Sequence, residues 1–213
     1  MNRRRITALA GVVGPAVFVA AFTAEGLLRR GYDPLRMYIS ALSLGPRGWI
    51  QIANFIVLGV LLFVFTRGVA AEFTAGKASR GGLRLLTLLS LLFMVSGPFV
   101  MDPTGTPLNL ATIHGTIHGI AGGIVFLLMP ITCLVYLRRF RADRNWQLLH
   151  WWTLVLGTIE AVAVFVFTIV SKSPELAPAF ENWLGLIQRV ALVPFMLWLF
   201  VFALELLKRS ERG

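Results

Sequence analysis

Residues 114–136 read HGTIHGIAGGIVFLLMPITCLVY and are followed, after Leu137, by Arg138 and Arg139. After its two histidines the stretch carries no charge. At 1.5 Å per residue a helix of this length crosses a hydrocarbon core of roughly 30 Å. Working outward, five further apolar runs of similar length appear, and the six spans are placed at 6–28, 49–66, 85–101, 114–136, 148–170 and 184–207. None shows strand-like alternation, and in lipid each backbone polar group must be satisfied within its own segment. The expectation is an all-α, six-transmembrane-helix bundle forming one integral membrane domain over 1–213.

Composition agrees: 57% of the residues are apolar and 14% charged, with mean hydropathy +0.76, against roughly 25% charged in an ordinary soluble domain. The net charge of +10 would suggest nucleic acid in a soluble protein, but its placement excludes that reading. Arg3, Arg4 and Arg5, then Arg67, Lys77, Arg80 and Arg84, then Arg138, Arg139, Arg141 and Arg144, then Lys208, Arg209 and Arg212 fall on one side. Only Arg29, Arg30, Arg36, Arg47 and Lys172 fall on the other, and Arg189 lies inside a span. The positive-inside bias predicts an N-in/C-in protein of a bacterial inner membrane, with membrane lipids as its partners and any protein partner left open. The N-terminal apolar run is longer than a signal-peptide core and reads as a retained span. Cys133, the single cysteine, excludes an intramolecular disulfide.

Trp49, Trp146, Trp151, Trp152 and Trp183 mark span ends, where an indole keeps its ring apolar and its N–H wet. Gly115, Gly119, Ala121, Gly122 and Gly123 place a small-residue step in the fourth span and predict that this span lies inside the bundle. Pro34 to Leu44, in the first outer loop, mixes Met37, Ile39, Leu42 and Leu44 with Arg36, Ser40 and Ser43 and predicts a short interfacial helix. The third span is expected to end at Asp102, which precedes a proline.

The residues suited to chemistry gather in the outer leaflet. His114 and His118, four apart, share one helix face with Cβ atoms about 6 Å apart. Asp102 stands level with them at the end of the third span. A carboxylate beside two imidazoles can orient a general base, hold a metal or bind a polar headgroup. Arg189 lies five residues into the sixth span, where a charge faces a partner or a water-filled cavity. Gln188 is next to it, Glu25 lies near the outer end of the first span, Asn54 is one turn into the second, and Ser43 lies in the first outer loop. Two arrangements compete: an outward-facing pocket, or a polar network that locks the helices together.

Glu160 stands near the middle of the fifth span, where an ionised carboxylate is costly without a partner; protonation, a pair with Arg189 and a proton path are all open. His150 lies at the cytoplasmic end of that span, roughly 20 Å or more from His118, which disfavours bis-histidine haem. Zinc is the one cofactor considered, since Asp102, His114 and His118 supply three ligands, but H-x-x-x-H without a glutamate is a weak motif, and no cofactor is expected. Ser43 and Ser96 lack a nucleophile turn.

Several short motifs resemble the bacterial membrane family known as domain of unknown function 998. They are Gly14-Pro15, Ile39-Ser40-Ala41-Leu42-Ser43, Asn54-Phe55-Ile56 with Gly59, Gly97-Pro98-Phe99 with Asp102, His114-Gly115-Thr116-Ile117-His118, and Gly185-Leu186-Ile187-Gln188-Arg189. The resemblance implies a compact six-helix membrane protein and brings no activity with it. A looser similarity links the chain to membrane lipid hydrolases of the alkaline ceramidase type, which set Ser, Asp and several His around zinc; here the third histidine lies in the opposite leaflet. A still looser one, to lipid-remodelling proteins with an Ile-Ser-x-Leu outer loop, also points to lipid.

The leading expectation is an outer-leaflet site that binds, and in one version modifies, a lipid or amphiphile. In the enzymatic version His114 or His118 acts as base, oriented by Asp102, with Arg189, Gln188, Glu25, Asn54 and Ser43 on the ligand. The alternatives are a small proton-coupled transporter using Glu160 and a non-catalytic scaffold or subunit.

Overall fold

The computed structural model describes residues 2–73, 77–173 and 175–210. Arg212 and the side chain of Lys77, both assigned above to the basic side, lie outside what is described. Among the described residues seven α-helices follow one another: α1 (Arg3–Leu28), α2 (Gly48–Glu72), α3 (Lys77–Ser96), α4 (Ile113–Arg141), α5 (Gln147–Lys172), the single turn α6 (Leu176–Ala179) and α7 (Leu184–Ser210). Among the described residues there is no strand, and five helices, α1, α2, α4, α5 with its lead-in turn and α7, are long and apolar enough to cross a membrane. The chain is therefore a multi-pass, all-helical membrane protein.

The third helix is the exception. It was expected at 85–101, yet it begins at Lys77 and stops at Ser96. Gly97 precedes a proline, which disfavours the helical conformation there. At the other end the helix runs back through Arg80 and Arg84, so its apolar part is only Leu85–Ser96.

Neighbouring helices pack in the cyclic order α1, α2, α3, α4, α5, α7 and back to α1. Packing rather than hydrophobicity must hold them, because lipid is as apolar as the core. The buried face of α1 shows how: Ala8, Gly11, Pro15, Phe18, Phe22 and Glu25 recur three or four residues apart, one stripe of a helix. A Cβ on Gly11 would strike the Phe65 ring and Ala203, so glycine there lets α1, α2 and α7 meet. The helix window of α7 is 50% buried, against 33% for α4. This reverses the expectation for α4: Gly119, Gly122 and Gly123 have nothing within 4 Å of where a Cβ would stand. The inward face of α4 is instead His118, Ala121, Val125, Met129, Cys133 and Tyr136.

The start of α1 and the end of α7 lie on one face, where Arg4 of α1, Glu72 of α2 and Arg209 of α7 line a cavity of about 30 Å³. Trp146 lies on this side but is buried, not at a wet edge, with the Arg209 guanidinium 3.7 Å above its ring. Trp49, Trp151, Trp152 and Trp183 are exposed. The opposite face carries the long connections and is called the loop face below. Its first loop forms a 3-10 turn, Ile39–Ser43, shorter than expected and tucked inward: Ile39, Ala41, Leu42 and Ser43 are all buried. It caps the bundle instead of floating in the interface.

Candidate functional site at the loop face

The first loop is fastened to α7 by adjacent residues. Gly185 has no Cβ, and one would collide with the carbonyls of Pro34 and Met37; the loop therefore rests on the helix backbone, with the Leu186 N–H donating to Leu35 O at 3.0 Å. One turn deeper, Arg189 donates through one terminal nitrogen to Pro34 O (2.7 Å), Met37 O (3.1 Å) and Gly185 O (2.9 Å). Its other terminal nitrogen donates to the Tyr32 hydroxyl at 2.7 Å. That hydroxyl donates onward to the Tyr38 or Met37 carbonyl, at 2.9 and 3.1 Å. Burial lifts the Tyr32 phenol above its ordinary range, against the lowering pull of Arg189. Gln188 Oε1 accepts from the Ile39 N–H at 2.7 Å.

A second cluster adjoins the first. Glu25, 4% exposed, accepts from Arg47 through both oxygens at 2.9 and 2.7 Å and from Arg29 Nε at 2.9 Å. Arg29 also donates to Leu44 O at 2.9 Å. A bidentate arginine–carboxylate pair combines charge with fixed geometry, so these three residues tie both ends of the loop to α1. A Cβ on Gly26 would lie 3.1 Å from the Tyr32 ring and 3.8 Å from Arg189, which brings the two clusters into contact.

Asp102 and the histidines form a third group, arranged differently from the expectation. The Asp102 carboxylate accepts from the Thr112 N–H (2.9 Å) and hydroxyl (2.8 Å), while Thr112 accepts from the Gly115 N–H at 2.9 Å as N-cap of α4. A Cβ on Gly115 would occupy the place of the carboxylate. Negative charge and acceptors at a helix N-terminus are favourable, and Asp102 is spent on that role. His118, buried, sets Nδ1 against the carbonyls of Phe99 (2.7 Å) and Ser96 (3.2 Å). Two carbonyls can only accept, so Nδ1 carries the hydrogen and a neutral ring offers its lone pair at Nε2. His114 is exposed and packs on the Phe99 ring at 5.3 Å. The two histidines thus share Phe99, and no hydrogen bond joins either to Asp102.

The remaining candidates hold structure locally. Asn54 donates to Phe18 O (3.1 Å) and to Gln51 (3.3 Å); the Ser43 hydroxyl donates to Ser40 O and the Ser96 hydroxyl to Leu92 O. Glu160 is fully buried on α5, and neither oxygen has a hydrogen-bond partner, so it makes no pair with Arg189. Among the described residues no three His, Cys, Asp or Glu side chains converge as a metal-binding group. Tyr32, Thr112 and Gln51, and the ion-pair roles of Arg29 and Arg47, are absent from the set of residues the sequence suggests for the site. Thr112 had a usable signal, a threonine immediately before an apolar helix, which is an N-cap position.

Long apolar helices closed by a polar, loop-covered end define the class as integral membrane. Within it, the family described as protein of unknown function (DUF998) matches residues 12–205, nearly the whole chain, and the protein belongs to that family. No curated protein and no solved structure matches it.

Proposed function

We propose that the protein crosses the bacterial inner membrane six times, with α3 as the remaining span, both ends in the cytoplasm and the loop face outward, and that it binds an anionic amphiphile there. The fourteen Lys and Arg residues placed above on the side of the chain ends support that orientation. The observation that carries the binding reading is a groove of about 630 Å³ between α1 and α7, lined by Ala16, Ala20, Ala24, Leu27, Leu197 and Phe200 among others. The groove exists because the outward face of α1 is small at Ala16, Ala20 and Ala24 while α7 presents bulky side chains. A groove at this depth meets acyl chains, not water. Three residues beyond Leu27 stands Arg30, exposed and without an ion pair among the described residues, a free cation for a phosphate or carboxylate headgroup.

In this reading Arg189, Gln188, Glu25 and Ser43 serve the ligand by fixing the loop above it, and Asn54 serves it only by joining α2 to α1. Binding without turnover is the version favoured, because Asp102 supports the start of α4 and not an imidazole. If a reaction does occur, His118 Nε2 is the available base.

A phosphatidylglycerol carrying a photoreactive group in its acyl chain tests the reading when reconstituted with the protein. Crosslinks concentrated on Ala16–Leu27 and Val193–Phe200, and displaced by unlabelled phosphatidylglycerol, are expected. Labels spread evenly over α1, α4, α5 and α7 would overturn it.

A further inference from the structure

Glu160 belongs to none of the loop-face clusters. It is fully buried near the middle of α5, and both carboxyl oxygens lack a partner. Two contacts fix what lies opposite it. Gly157 of α5 packs on Cys133 of α4, with a Cβ there falling 3.0 Å from that of the cysteine, and Trp198 of α7 donates to Thr153 of α5 at 2.8 Å. Both helix pairs run antiparallel. Three residues beyond Gly157 on α5 therefore lie opposite three before Cys133, which is Pro130; seven beyond Thr153 lie opposite seven before Trp198, which is Ala191.

Each of those two helices carries a proline near this height and runs on through it. Pro130 and Pro194 sit inside α4 and α7. A proline has no N–H, so the carbonyl four residues earlier loses its helical donor; these are the carbonyls of Phe126 and Val190. Each lies within about one turn of the level of Glu160. A carbonyl oxygen also points toward its helix C-terminus, which for both helices is toward that level. Unpaired carboxyl oxygens and freed carbonyls thus lie at one depth, and backbone carbonyls of membrane helices are oxygen ligands suited to small cations.

We propose that Glu160, with the carbonyls of Phe126 and Val190, forms an intramembrane site that takes up one small monovalent cation, H⁺ or Na⁺. No neutralising charge pairs with Glu160: Arg189, two residues before Ala191, is bonded to Tyr32 and the loop carbonyls, Cys133 is the titratable neighbour from α4, and α7 presents Ala191, Leu192 and Phe195, all buried. A bare carboxylate there would be unpaired in an apolar interior, so the cation completes the site. The apolar groove of about 340 Å³ between α4 and α5, which Pro130, Cys133 and Gly157 line, opens to the membrane one turn from Glu160 and gives an apolar carbodiimide its approach.

Dicyclohexylcarbodiimide reads the site directly. The protonated carboxyl adds across one C=N bond, its oxygen bonding the central carbon and its proton passing to nitrogen, with no group leaving. The full chain in lipid nanodiscs is treated across mildly acidic to mildly alkaline pH, with NaCl or KCl, and labelled peptides are identified by mass spectrometry. The expected result is severalfold more label on Glu160 at acidic than at alkaline pH, and none at that position in Glu160→Gln. Protection by NaCl beyond that by KCl identifies a Na⁺ site; pH dependence indifferent to Na⁺ identifies a proton site. Labelling that ignores both pH and salt would overturn the proposal. So would an unlabelled Glu160 in the folded protein when the unfolded chain labels there under the same conditions.

Discussion

Arg189 of α7 donates to the carbonyl of Pro34 at 2.7 Å across 155 residues of sequence, and this bond anchors the loop that closes one end of the bundle. The same guanidinium holds Met37, Gly185 and Tyr32, so a charge expected to await a ligand is instead built into the fold. Arg189→Ala removes the fork and leaves loop carbonyls without donors. The expected loss is roughly 2–4 kcal/mol, since hydrogen bonds to charged groups contribute about 1.5–3 kcal/mol each and not all the exposed carbonyls stay unpaired. Arg189→Lys recovers only part, because an ammonium lacks the planar fork. Thermal unfolding in detergent measures it; a melting temperature unchanged in Arg189→Ala contradicts the clamp.

Tyr32 gives the clamp a pH dependence. Its folded-state pKa is raised, chiefly by burial, so its contribution to stability is complete below the ordinary phenol value of about 10 and fades as pH climbs through the folded value. Tyr32→Phe removes that alkaline component. Melting curves taken from neutral to strongly alkaline pH should converge for parent and variant at the alkaline end, where a constant gap would refute the assignment.

Asp102 and Gly115 are coupled through space. Gly115→Ala puts a methyl where the Asp102 carboxylate sits, and Asp102→Ala loses the bonds to Thr112, a cost of about 1 kcal/mol by analogy with helix caps. The double variant should be more stable than the two single losses add up to, because removing the carboxylate makes room for the methyl. A double-mutant cycle with no interaction energy would show the two sites to be independent.

His118 is read as a donor through Nδ1. Asn places an amide N–H near that position, whereas Gln places one near Nε2. His118→Asn should therefore keep more stability than His118→Gln or His118→Ala, with His118→Ala costing roughly 1–3 kcal/mol for unpaired buried acceptors. The reverse order would mean that Nε2 carries the structural bond.

The membrane class was legible because length and hydropathy alone decide it. The polar residues of the loop face were also found, but not their partners. A side chain such as Glu25 announces that it needs company; it does not say whether Arg47, twenty-two residues on, or an imidazole will provide it. Backbone acceptors are more elusive still. Pro34 O and Phe99 O carry no sequence signature, yet they claim Arg189 and His118. The misplaced α4 has a related cause: glycines permit close approach without requiring it, and Gly119, Gly122 and Gly123 are left facing outward.

Native mass spectrometry of the gently solubilised protein tests amphiphile binding most directly, comparing the parent with Arg30→Glu and with the groove-filling Ala20→Phe. The account predicts an anionic lipid retained by the parent and reduced in both variants, with melting temperatures close to that of the parent because both side chains are exposed. Equal lipid retention in all three proteins would contradict it.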